Sequence, residues 1–340
     1  MNSVVRGLIS LSIVGFLAGG AVAEWEESAD YPYPVPTGLK KPPVPTDNPL
    51  SDAKVALGKA LYFDTRLSAD KTVSCATCHN PKKGWTDQAP VSTGIRGQKG
   101  ARSAPSVLNS AYYDKQFWDG RAPSLEEQAK GPIQNPIEMG NTHEAAVATL
   151  RGIPGYGPLF EQAFGSSEIT IDRVAQAIAS FERTVLTGNS PYDLYEAGDK
   201  KALSASAQRG LKLFFGKANC SVCHTGFNFS NSDFHNIGVG MTAKDPDLGR
   251  EKETKDMAHR GAFKTPTLRN LAHTAPYMHD GSEKTLESVV EYYNKGGFPN
   301  PWRDKEMKPL GLTKAEKKDL VNFLKSLNGD KVEIKAPPLP

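Results

Sequence analysis

All four cysteines of this 340-residue chain fall in two C-x-x-C-H pentapeptides, Cys75-Ala76-Thr77-Cys78-His79 and Cys220-Ser221-Val222-Cys223-His224. Cysteines three apart lie about one helical turn from each other, so both can form thioethers to one porphyrin. The histidine that follows then points its imidazole at the iron as proximal ligand. A structural zinc ion would need four thiolate or imidazole ligands converging on one metal, and a redox dithiol has no use for the trailing histidine. Two complete motifs with no cysteine left over read as two c-type haems. Cys75, Cys78, Cys220 and Cys223 would be the attachment points, and His79 and His224 the proximal iron ligands.

The amino terminus has the form of a secretory signal: Arg6, an apolar run from Gly7 to Gly20, then Ala21-Val22-Ala23 as a cleavage site. The run is short for a membrane span, although a retained anchor is the other reading. Export to the periplasm is expected, with no membrane span after signal cleavage. The formal charge of +3 is small and shows no basic stripe, which argues against nucleic acid as a partner.

Residues 31 to 49 are proline-rich and predict an extended surface arm. Beyond them helical signals dominate, with Gly and Pro punctuation and little strand alternation. Ser51 opens a helix through Leu57 and Leu61, and Ser124-Leu125-Glu126-Glu127 reads as a capping box. Thr170 precedes an apolar stripe of Ile171, Val174, Ala175, Ile178, Phe181 and Val185. Thr285 caps a helix that reaches Tyr293 and stops at Gly296-Gly297. Thr313 with Glu316 caps a last helix through Leu327, closed by Gly329. Leu57-Gly58-Lys59-Ala60-Leu61-Tyr62-Phe63 before the first motif is echoed by Arg209-Gly210-Leu211-Lys212-Leu213-Phe214-Phe215 before the second. The duplication predicts an all-α fold, mostly helical with few short strands, of two cytochrome c-like domains with one haem each. The expected layout is a signal peptide at 1–23 and a proline-rich arm at 24–49. An N-terminal domain at 50–190 and a C-terminal domain at 191–340 follow, with the last helix packing on the second.

Several longer segments resemble the bacterial dihaem cytochrome c peroxidase family and its MauG relatives, which oxidise a partner protein during quinone-cofactor synthesis. They are Gln116-Phe117-Trp118-Asp119-Gly120-Arg121-Ala122, Gln128-Ala129-Lys130-Gly131-Pro132 and Asn135-Pro136-Ile137-Glu138-Met139. Lys264-Thr265-Pro266-Thr267-Leu268-Arg269-Asn270 and Thr274-Ala275-Pro276-Tyr277-Met278-His279-Asp280-Gly281 complete the set. The resemblance implies that hydrogen peroxide reacts at the His79 haem. Glu138 would be the distal acid/base, with Gln128 and Pro132 lining the same pocket, and Trp118 would relay electrons between the haems. Taken alone, Trp118 and Glu138 would read as a core residue and a surface carboxylate. The family also implies a calcium ion held by the carbonyls of Thr274 and Pro276 and by an Asn side chain. This chain has Ser103 at the Asn position, a shorter oxygen donor.

Two departures from the family pattern bear on function. The loop Ser92 to Gly100 carries Ile95 where typical dihaem peroxidases place a distal histidine, so the first haem is expected to be open. Where the usual peroxidase has an axial Met on the second haem, Tyr293 is in register, as in MauG-type proteins. Tyr292 is one residue out of register, and Met278 does not match the family position. A phenolate is a hard anionic donor that favours oxidised iron, whereas a thioether raises the potential. The resulting expectation is an exported dihaem peroxidase with MauG-like oxidation of a protein partner. The alternatives are peroxide removal with electrons from a small cytochrome c or a cupredoxin, and a non-catalytic dihaem electron carrier. A homodimer is a family-level expectation.

Overall fold

Hydroxyl side chains set the helix starts. Ser51, Ser124, Thr170, Ser204, Thr285 and Thr313 each accept a hydrogen bond from the backbone N–H three residues on. The structure, a computed structural model, describes residues 31–340 apart from residue 33. The expected signal peptide lies outside the described residues. The first half carries α1 (Asp52–Phe63), α2 (Cys75–Cys78), α3 (Leu125–Gln134), α4 (His143–Arg151), α5 (Tyr156–Phe164) and α6 (Ile171–Glu182). The second half carries α7 (Pro191–Glu196), α8 (Ala205–Phe215), α9 (Glu251–Thr254), α10 (Leu286–Asn294) and α11 (Lys314–Lys325). Strands β1 (Phe234–His235) and β2 (Phe263–Lys264) form an antiparallel pair with Phe234 opposite Lys264. The fold is mostly helical with little strand, as expected. The capping box at Ser124 is only half formed, because the Glu127 carboxylate accepts from Lys130 instead of reaching back.

Two separate hydrophobic cores form, one around α1 and α6 and one around α8 and α11. Each is organised by a glycine at a helix crossing. A Cβ on Gly58 would stand 1.8 Å from the Ala177 carbonyl oxygen, and one on Gly210 would stand 2.0 Å from the Asp319 carbonyl oxygen. One turn further on, an aromatic pair fills each crossing. Tyr62 meets Phe181 with ring centroids 5.2 Å apart, and Phe214 meets Phe323 at 5.1 Å. The echo in the sequence is therefore one packing arrangement used twice. The last helix packs on the second core, as expected.

Two expectations need correction. The proline-rich arm is extended but is not a surface tether: Val44 and Asn48 are buried, and Asn48 donates to Glu126 and to the Gln176 carbonyl. An extended segment satisfies its backbone only by docking, and this one does so against α3 and α6. The last residues were grouped with the second domain, yet Val332 and Ile334 pack on the first core. The Trp85 indole N–H donates to the Val332 carbonyl at 2.7 Å, which holds that tail in place.

The halves meet along a seam of amide side chains and backbone. Across it the Asn270 amide donates to the Thr187 hydroxyl at 2.9 Å, the Asn109 amide donates to the Asn228 side-chain oxygen at 3.4 Å, and the Asp330 N–H donates to the Gly188 carbonyl at 3.0 Å. Beside it lies an ion pair between Arg269 and Asp193, each side chain about 1% exposed.

Gly58→Ala and Gly210→Ala test the crossings. Either methyl must push two helices apart, which outweighs a helix-propensity gain of up to ~1 kcal/mol. A net loss of about 1–3 kcal/mol is expected in chemical unfolding followed by circular dichroism. Alanine at half-buried Gly157, where nothing lies within 4 Å of a new Cβ, should be neutral or stabilising.

Candidate dihaem site

Both C-x-x-C-H segments close one turn of backbone. The N–H of His79 donates to the Cys75 carbonyl and that of His224 to the Cys220 carbonyl, both at 2.9 Å. Each histidine then ties its Nδ1 to a carbonyl oxygen, His79 to Pro105 at 2.9 Å and His224 to Phe229 at 3.0 Å. A carbonyl only accepts, so Nδ1 carries the proton and Nε2 keeps a lone pair. Burial pushes both imidazoles toward the neutral form, that of His224 down to about 4.

In the second half, Cys220, Cys223 and His224 line a largely apolar cavity of about 280 Å³. Tyr293 faces it from α10, and among the described residues its hydroxyl has no hydrogen-bond partner. Burial pushes that phenol well above its usual range. Tyr292 differs: it lies outside the lining, donates to the Ile237 carbonyl and accepts from the Phe298 N–H. Met278 and Met307 also line the cavity. The sequence reading set Met278 aside and overlooked Met307, which sits in a loop far from any recognised motif.

In the first half, the loop carrying Ile95 is strapped to the segment carrying Glu138. The Ile95 N–H donates to the Glu138 carbonyl at 2.9 Å, and the Gln98 side chain donates to the Pro136 carbonyl. A Cβ on Gly94 would stand 1.9 Å from the Ile137 carbonyl oxygen, so only glycine allows that approach. Ile95 is buried in the first core. The Glu138 carboxylate is half-buried and accepts from the Asn135 amide at 3.0 Å. Burial pushes this carboxyl above its usual range, against the Arg121 charge and the Asn135 bond. Gln128 and Pro132 lie one turn apart on α3, both half-buried. Proline has no N–H, so the Gln128 carbonyl loses its helical donor.

Three residues join the two halves of the site. Pro105 holds His79, and two positions earlier the Ser103 carbonyl accepts from the Trp118 indole N–H at 2.9 Å. Trp118 lines the large cavity with His224, and its edge faces His279 with centroids 6.5 Å apart. The neighbouring Phe117 ring reaches toward Gly131 on α3. One turn of chain thus touches both halves.

The family model for di-haem cytochrome c peroxidase matches residues 52–201, and that for cytochrome c matches residues 207–328. Methylamine utilization protein MauG of Methylorubrum extorquens is 46% identical over 301 residues, covering 88% of this chain and 84% of that one. The chain belongs to the di-haem cytochrome c peroxidase family. Cytochrome c551 peroxidase of Nitrosomonas europaea is 42% identical over 300 residues, 88% of this chain and 86% of that one. The solved structure of a MauG-like protein associated with microbial copper homeostasis superposes with a TM-score of 0.83 at 34% identity, covering 89% of this chain and 97% of that one. This di-haem cytochrome c peroxidase is therefore a haem peroxidase, an oxidoreductase that works with two c-type haems.

The residues fit that cofactor. The second cavity is apolar, and each imidazole keeps a free Nε2 while its Nδ1 is oriented by a carbonyl. Cys75 with Cys78 and Cys220 with Cys223 would hold the two rings. The calcium donors fit in part. Ser103, Thr274 and Pro276 all line the cavity wall, and the Ser103 hydroxyl donates to the Met278 carbonyl at 3.0 Å. Among the described residues no cluster of three or more acidic, histidine or cysteine side chains could add charge to a metal site. Sequence reasoning also missed Asn135, which holds Glu138, and Lys264 and His279 in the cavity wall. All three stood inside quoted motifs without a role.

Haem content tests the attachment. The parent should carry two haems per chain in a pyridine haemochrome assay, and Cys220→Ala with Cys223→Ala should leave one.

Proposed function

We propose that this haem peroxidase is exported and uses hydrogen peroxide to oxidise a protein partner, in the manner implied by its likeness to MauG. The observation that carries the reading is the free hydroxyl of Tyr293 in the His224 cavity, together with Ile95 in place of a distal histidine. Among the described residues no helix is long and apolar enough to cross a membrane.

When bound, the haems supply the irons that react with peroxide and share its oxidising equivalents. Glu138 takes a proton from hydrogen peroxide and returns it to the departing oxygen, with Asn135 holding the carboxylate in place. Peroxide gains two electrons and two protons and leaves as two waters, and the partner loses the electrons. Trp118, bonded to Ser103 and lining the His224 cavity, is the oxidisable ring between the two halves. Tyr293 would hold the second haem's iron together with His224, and its phenolate would favour the oxidised metal over electron entry from a high-potential carrier. Peroxide removal with electrons from a small cytochrome c or cupredoxin is the second reading, favoured by the likeness to cytochrome c551 peroxidase.

Electron paramagnetic resonance of the oxidised holoprotein should show one high-spin and one low-spin haem. Tyr293→Phe should change the low-spin signal, and an unchanged signal removes Tyr293 from the ligand set. Rapid turnover with a reduced small cytochrome in the parent would favour the second reading.

Glu138→Gln should slow the peroxide reaction by about 10²-fold or more in stopped-flow absorbance. Glu138 must be ionised to accept the proton. The parental rate should therefore fall with falling pH along a limb placed above the usual carboxylate range, and that limb should be missing in the variant.

A further inference from the structure

Lys264 is a buried cation with no anion to meet it. β2 fixes its backbone, and its N–H donates to the Trp118 carbonyl at 2.8 Å. The residue is 8% exposed and lines the cavity with Cys220, Cys223 and His224. Among the described residues its Nζ has no hydrogen-bond or ion-pair partner, and its close neighbour is the Tyr113 ring, whose centroid lies 3.1 Å away. The Tyr113 hydroxyl accepts from the Thr267 N–H and makes no bond with Nζ.

Among the described residues the other buried lysine and arginine side chains each meet a carboxylate or another oxygen acceptor, although Arg183 Nε has none. Arg183 pairs with Glu126, Arg269 pairs with Asp193, and Lys54 donates to Asn48 and the Pro49 carbonyl. A lone ammonium in an apolar wall is costly, and an aromatic face offsets only part of the cost. Asp114 attracts Lys264 from beyond ion-pair distance, and burial pulls the ammonium down to about 7. The cofactor of this cavity carries two carboxylates on its rim. We infer that Lys264 is the ion-pair partner of a propionate of the haem held at Cys220, Cys223 and His224. The position is strategic, because the same residue's backbone holds Trp118. The inference needs only the second haem and stands whichever partner the enzyme oxidises.

Lys264→Met and Lys264→Arg in the full holoprotein test it through haem content and redox titration. The second haem is identified by its loss when Cys220 and Cys223 are both alanine. Removing the cation leaves a propionate charge that favours ferric iron. In Lys264→Met the reduction equilibrium constant of the second haem should fall about tenfold, roughly 59 mV for one electron, with the first haem unmoved. Lys264→Arg should keep the parental potential. Loss of the second haem in Lys264→Met but not in Lys264→Arg also supports the pairing. A fully loaded Lys264→Met with an unchanged or raised second potential overturns it. So does loss of that haem in both variants.

Discussion

In both halves, two helices approach until backbone touches backbone at a glycine, and the proximal histidine depends on that approach. Gly58 under Ala177 lets Tyr62 reach beneath the first motif, where its hydroxyl donates to the His79 carbonyl at 2.8 Å. Gly210 under Asp319 lets Phe214 pack against both Phe323 and Phe229, and the Phe229 carbonyl orients His224. In the first half the aromatic side chain bonds the histidine's backbone, and in the second it packs beside the residue that accepts from the imidazole. A crossing opened by a methyl group would loosen these aromatic clusters, and an imidazole free to rotate is a poorer ligand.

The seam between the halves adds a second constraint. Ser103-Ala104-Pro105 is bonded to Trp118 at one end and to His79 at the other, so three residues of chain tie the first proximal histidine to a ring that lines the His224 cavity. The Ser103 N–H also donates to the His279 carbonyl at 2.7 Å, and the Trp118 carbonyl accepts from Lys264. Loss of one partner of the buried pair Arg269 and Asp193 would leave an uncompensated charge, a cost of about 3–5 kcal/mol.

Local signals were the legible ones. Ser51, Thr170, Thr285 and Thr313 cap the helices read from them, because capping needs only a hydroxyl and a backbone three residues away. The repeated Gly and aromatic pattern disclosed the duplication. What escaped was long-range. Nothing local in Val332 or Ile334 says that the tail crosses to the first core, and a proline-rich arm reads as a tether until a partner surface is known. In the candidate site, the attachment motifs could be read directly. The choice between Tyr292 and Tyr293 rested on register alone, and the structure adds that one hydroxyl is bonded away from the cavity while the other is not. Lys264 stood in a quoted motif without a role, because burial and the lack of an acceptor are properties of the folded wall.

On the proposed reading, Tyr293 and Lys264 share one electrostatic logic. Burial raises the phenol and lowers the ammonium, so it drives both toward their neutral forms. A ring with a cationic metal at its centre and carboxylates at its rim reverses both penalties at once, since phenolate meets metal and ammonium meets carboxylate. A neutral apolar molecule of the same size would leave both groups unsatisfied. On this reading the cavity wall would favour a charged macrocycle, with Lys264 and Tyr293 as the residues that meet its carboxylates and its metal, in addition to the thioether bonds that would make the attachment permanent.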